Sequence, residues 1–150
     1  MNHALTHPEH AEDARRKAAA LIELAIPSVI RKVAPPRGRL EDLKDYRRHA
    51  VYLGWLGLSI GAYRLIGGDN RWDAIQQRIA DVLHQALDEA GGRPLWSFPT
   101  ESWPFDTVPC LLALRLYDHA RGWDRSSHAT RRRSDYLGRL ERSDAVVRIR

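Results

Sequence analysis

The sequence predicts an all-α protein built of helical hairpins in two layers. Three observations carry this. Four segments follow one another as amphipathic, apolar, amphipathic, apolar. No stretch alternates apolar and polar residues with the period of two that marks a half-buried strand. Pro35-Pro36, Gly67-Gly68 and Gly91-Gly92 punctuate the segments where a helix must stop.

The first helix is expected from about Pro8 to Val33. Leu21, Leu24, Ala25 and Val29 stand at helical spacing behind Ala14, Ala18 and Ala19, opposite Glu12, Arg15, Arg16 and Glu23. Pro27 should kink or divide it, because proline removes a backbone donor and crowds the preceding turn. The polar residues 1–8 ahead of it are expected to be a flexible end.

A second helix is expected from about Leu40 to Ile66, charged in its first half and apolar nearly all round from Ala50 to Ala62. Ala50, Gly54, Gly57 and Gly61 fall in one stripe on it. Each glycine costs about 1 kcal/mol in a helix relative to alanine. Three on one face therefore imply a gain from close approach, by a neighbouring helix or by a ligand.

The third helix, about Arg71 to Ala90, has the clearest periodicity: Trp72, Ile75, Ile79, Val82, Leu83, Ala86, Leu87 and Ala90 make one face. Asp69 or Asn70 is expected to cap its start. For the fourth helix Asp106 is the expected N-cap, since Pro109 is then in the first turn, where its missing N–H has no intrahelical partner to lose. That helix runs from Thr107 to Arg121, and Gly122 closes it. Apolar helices inside and amphipathic ones outside are what an α/α toroid or an α-solenoid requires.

Composition bounds the function. With 43% hydrophobic and 29% charged residues the 150-residue chain is a one-domain length with enough apolar material for a core. The single Cys110 allows no disulfide framework; His3, His7 and His10 have a spacing a metal could use, but at a polar end without other ligands no metal is expected, and no cofactor. The N-terminus lacks the basic and apolar regions of a signal peptide, and the apolar run from Ala50 to Tyr63 is shorter than the roughly 20 residues a membrane span takes. A cytoplasmic protein is the expectation. Residues 9–122 form its helical domain. The formal charge of +5 sits entirely in residues 121–150, where nine arginines face four acids. Nucleic acid would therefore be a matter for this tail, through Arg131, Arg132 and Arg133, with a solvated charge run or disorder as the competing account.

Between the third and fourth helices, residues 95–109 gather three prolines, two tryptophans, two phenylalanines and the carboxylates of Glu101 and Asp106. One reading is a carboxylate pair in an aromatic cleft, with one member as general acid. The other makes Asp106 a helix cap and pairs Glu101 with Arg93 or Arg115. Trp96, Phe98, Trp103 and Phe105 either stack on a sugar or isoprenoid ligand or serve as core. Cys110, in the first turn of the fourth helix, is either a thiol activated by the helix end or a small core residue.

The run Ser97-Phe-Pro-Thr-Glu-Ser-Trp-Pro-Phe-Asp106, preceded by Gly67-Gly-Asp-Asn-Arg-Trp-Asp73, resembles a bacterial family of α/α-toroid proteins in which an S-Y-P-x-E-x-W-P-x-D loop leads into an inner helix. More distantly it is similar to linalool dehydratase/isomerase and helical-barrel carbohydrate enzymes. The resemblance covers about residues 40–121 and implies a partial toroid with Glu101, Trp103 and Asp106 facing a central cavity, Phe98 standing where the family has tyrosine. Two functions follow as expectations: an enzyme-like pocket for a small apolar or carbohydrate ligand, or a non-catalytic module whose apolar inner helices pair with another copy or another protein.

Overall fold

The computed structural model describes residues 7–33, 49–91, 93–97 and 101–123. They are all-α: α1 (Ala11–Val33), α2 (Ala50–Leu65), α3 (Asp73–Ala90) and α4 (Thr107–Ala120), with short 3₁₀ turns at Pro8–His10 and Pro104–Asp106. Among the described residues there is no strand, and no helix is long and apolar enough to cross a membrane.

The directions of the helices follow from what touches what. Gly54 of α2 lies against Cys110, Gly57 against Ala113 and Gly61 against Leu116, so α2 and α4 run parallel. Gly57 also meets Ile79 and Gly61 meets Gln76, which makes α3 antiparallel to both. On α1, Arg15 Nη1 donates to the Ile66 carbonyl (3.2 Å) and Lys32 Nζ to the Tyr52 hydroxyl (3.3 Å), so α1 is antiparallel to α2 as well. The inner pair α2 and α4 thus shares one direction, and the more polar α1 and α3 run the other way.

The seam between α2 and α4 explains the glycines. A Cβ on Gly54 would lie 2.7 Å from the Cys110 sulfur and 2.9 Å from its backbone nitrogen, and one on Gly61 would lie 2.6 Å from Leu116. Backbone-to-backbone contact of this kind is open only to residues without a side chain. The stripe is a packing surface, and Leu53, Ile60, Ile79, Leu83 and Cys110 complete the fully buried centre beside it. Burying an aliphatic side chain of this size contributes about 1.5–3 kcal/mol.

Several expectations change. Pro27 does not divide α1, which is continuous from Ala11 to Val33. Proline and Glu23, four residues earlier, both face solvent, where water can take the freed carbonyl. Leu21 and Leu24 are exposed rather than buried. The face that packs is Ala18, Ile22, Ala25, Val29 and Val33, flanked by Ala19, Ile26 and Ile30, a longer apolar stripe one position away. The second helix does not run through from Leu40: His49 stands at its N-cap with φ −149° and ψ 28°, and the Ala50 N–H is taken by the Trp96 carbonyl at 3.2 Å instead of by the preceding turn. Residues 40–48 lie outside the described residues.

The third helix starts at Asp73 with Trp72 as its N-cap, so neither Asp69 nor Asn70 caps it. Asp69 is held instead by Arg71, through its backbone N–H (3.1 Å) and its guanidinium (2.7–3.0 Å), which keeps that carboxyl down at about 2. The turn closes on Tyr63, whose ring packs edge-on against Trp72 and leaves no room for a side chain at Gly68. Gly91 ends α3 in the left-handed region at φ 57°. Asp106 does occupy the N-cap position of α4, but its φ of −74° and ψ of −14° continue the 3₁₀ turn and its side chain makes no capping bond. Trp123, expected in the tail, closes the domain: its N–H donates to the Asp118 carbonyl (3.0 Å) and its ring meets Tyr117 edge-on.

Candidate functional site

The loop from Arg93 to Asp106 joins the C-terminal end of α3 to the start of α4 and is tied down chiefly by hydroxyls. Leu95 N–H donates to Thr107 Oγ1 (3.1 Å), and Trp103 N–H to Ser97 Oγ (3.0 Å), both hydroxyl residues being fully buried. Ser102 Oγ donates toward the Pro94 and Leu95 carbonyls (3.3 and 3.2 Å), and Ser97 N–H reaches the Glu101 carbonyl at 3.0 Å. Hydrogen bonds of this sort satisfy buried backbone groups that would otherwise cost about 1–3 kcal/mol each. A backbone bond, from Ala50 N–H to the Trp96 carbonyl, ties the loop to α2.

With the backbone turned inward, the aromatic side chains turn out. Trp103 is 55% exposed, Phe105 76% and Trp96 nearly half. They are therefore not core. Phe98 lies outside the described residues, as do Arg131, Arg132 and Arg133 of the tail. Glu101 is exposed and its carboxylate accepts from the Trp103 indole N–H at 2.9 Å. Among the described residues it forms no ion pair with Arg93 or Arg115; Arg93 Nε donates to the Ala90 carbonyl at the end of α3. Asp106 is half-buried, and its carbonyl accepts from the Cys110 thiol at 3.5 Å.

A cleft of about 430 Å³ opens beside this loop, between the start of α2 and the end of α3. Ala50, Ala86, Ala90 and Leu95 give it an apolar lining, Trp96 forms a wall, and Glu89, Arg93 and Ser102 bring polar groups to it. Neither Glu101 nor Asp106 lines it. The structure thus brings Trp96 to the cleft and leaves the two carboxylates outside.

Cys110 is not the activated thiol that a position near a helix start allows. It is fully buried in the α2–α4 seam, with Sγ 3.3 Å from the Ala50 carbonyl. Burial, with a smaller contribution from the Asp106 charge, pushes the thiol up to about 12, so it stays protonated and unreactive. The hydroxyls of Ser97, Ser102 and Thr107 are what the sequence reading missed. Three small hydroxyl residues spaced through a loop of prolines and aromatics were the available signal, since such side chains bond to nearby backbone. Comparison with protein-family models, with curated proteins and with solved structures found no match.

Proposed function

We propose that this chain is a helical association module of α/α-toroid-like build, whose inner helices extend their layer by packing against a second copy. One observation carries the reading. Phe105, Val108 and Leu112 are all exposed and stand at i, i+3 and i+7 from the 3₁₀ turn into α4, an apolar stripe on the solvent side of this helix. An exposed apolar patch of this kind marks an interaction surface. The parallel inner pair, backed by antiparallel outer helices, is the arrangement that a toroid-like chain repeats, and the loop resemblance points the same way.

The test is the solution mass by light scattering, beside a thermal melt followed by circular dichroism. The wild-type chain is expected well above its 17.2 kDa, and Leu112→Lys at that mass with an unchanged melt. A wild-type chain that stays monomeric at high micromolar concentration would sink the proposal.

The cleft at Trp96 favours a second reading, an enzyme-like pocket for a small apolar or carbohydrate ligand. Its volume is in the range that small-ligand sites occupy, roughly 300–1,000 Å³. Binding of a disaccharide or a short isoprenoid alcohol should quench tryptophan fluorescence in the wild-type chain and do so less in Trp96→Phe. Any turnover found should then be tested with Glu101→Gln and Asp106→Asn. Unaltered turnover in both would remove the carboxylates from the chemistry.

A further inference from the structure

Resting on the association reading above, we infer that the second copy is laid on the first face to face about a two-fold axis, with Trp55 of α2 against its own counterpart and the two α4 stripes antiparallel. The seam glycines fix which side of the inner pair meets the partner. Trp55 follows Gly54 by one residue and Leu58 follows Gly57, whereas Leu112 precedes Ala113. One residue is about 100° of helix rotation. On two parallel helices that face each other, a forward turn on one and a backward turn on the other lead to the same side. Trp55, 52% exposed, half-buried Leu58 and the stripe of Phe105, Val108 and Leu112 therefore share one face of the pair. The opposite side is taken by α3, where Gly57 and Gly61 meet Ile79 and Gln76 and Arg64 pairs with Asp73 at 3.7 Å. α1 lies farther round α2, beyond Tyr52, whose hydroxyl Lys32 reaches.

Levels along the helices select the axis. Gly54 lies level with Cys110, since a Cβ on the glycine would meet that residue's nitrogen, Cα and sulfur. Trp55 is one residue from this level, about 1.5 Å along the helix. On α4, Val108 and Leu112 lie two residues to either side of Cys110, and Phe105 and Arg115 five residues to either side. An axis that lies in the plane of the interface and crosses both helices at this level sets Trp55 on the partner's Trp55, Val108 on the partner's Leu112 and Phe105 on the partner's Arg115. An arginine over an aromatic ring is a favourable pair, and Tyr117 already holds Arg121 that way within the chain at 3.8 Å. Charge selects the same arrangement. Glu101 lies before the stripe and Arg115 within α4 after it, both exposed, so the reversal brings acid toward base at each end. An axis along the helices would instead lay α4 on the partner's α2, whose residues from Ala50 to Leu65 include no acid for Arg115 to meet. Such complementarity fixes orientation and register more than affinity. A like pairing of this kind closes at two copies.

Cross-linking between identical positions reads the axis. The wild-type chain is expected at twice its 17.2 kDa. Trp55→Cys should give a covalent dimer with a short bismaleimide at pH 7, where the buried Cys110 does not react. Leu65→Cys, also on an exposed position of α2, should remain a single chain on a denaturing gel, because the same axis holds its two copies roughly 30 Å apart. Should Trp55→Cys lose the association, Phe105→Cys and Arg115→Cys chains are mixed instead: the mixture is expected to cross-link and neither variant alone. An associating chain in which Leu65→Cys links as fast as Trp55→Cys overturns the inference, and so does a mixed pair that links no better than its members. A wild-type chain that stays at 17.2 kDa overturns the association reading itself, so the two failures are distinct.

Discussion

The two sides of α4 are built on opposite terms. Toward α2, Cys110 and Ala113 press on bare glycine backbone and exclude water completely. On the other side, Phe105, Val108 and Leu112 are exposed, at 76%, 39% and 45%. Both sides are apolar in sequence, so hydrophobicity does not separate them; the presence of a partner without side chains does. Glycine on α2 turns one apolar face of α4 into core, and the lack of a corresponding neighbour leaves the other face as surface.

If that contrast is right, enlarging the seam should do the most damage. Gly54→Val places a branched side chain on the Cys110 sulfur and backbone, and backbone cannot give way as a side-chain tip can. A loss of about 3 kcal/mol is expected from overpacking of this severity, read as a fall in the urea midpoint. A variant as stable as the wild type would mean the helices are not in contact there.

Next in size is the loop that positions the stripe. Ser97→Ala strips the buried acceptor from the Trp103 N–H and should cost about 1–3 kcal/mol. The expected sign of failure is a melt indistinguishable from wild type.

The seam should also show in alkaline solution. The Cys110 thiol is raised from its ordinary 9.0 to about 12 in the folded chain. Below pH 9 it is protonated in both states and costs nothing. As pH rises from 9 toward 12 the unfolded chain gives up this proton and the folded one keeps it, so stability falls across that window. Cys110→Ser or Cys110→Ala should flatten this part of the pH profile, and a disulfide-exchange reagent at pH 8 should label the native thiol only as fast as the chain unfolds.

The smallest effect belongs to the other side. Phe105→Ser or Val108→Ser should change the stability of the single chain by no more than about 0.5 kcal/mol, the usual range for surface positions. A much larger loss at concentrations where the chain is monomeric would show that the stripe is already covered within one molecule.

The contrast also marks what the sequence could reveal. The periodicity of α3 and the placement of Pro109 in the first turn of α4 were legible because both depend on residues within a few positions of each other. So was the need for close approach at Gly54, Gly57 and Gly61. Which helix approaches was not, since it depends on a pairing far along the chain. The start of α2 was misplaced for the same reason: the Ala50 N–H answers to Trp96. On α1 the two apolar stripes differ by one residue in position, and only the packed partner chooses Ile22 over Leu21. At the candidate site, composition revealed a stiff aromatic loop but not that Trp96, Trp103 and Phe105 are exposed, because the hydroxyl bonds that hold the backbone carry no periodic mark.

Because the inner pair is parallel, its two members cannot be joined by a short turn, and the seam links positions as far apart as Ala50 and Cys110, 60 residues along the chain. The whole of α3 must be spanned before that contact exists. Closing such a loop costs entropy that local helix pairs do not incur. Folding should therefore begin with the hairpin of α2 and α3 and finish with the arrival of α4. Seam substitutions such as Gly57→Leu would then act on the rate at which the chain opens far more than on the rate at which it forms.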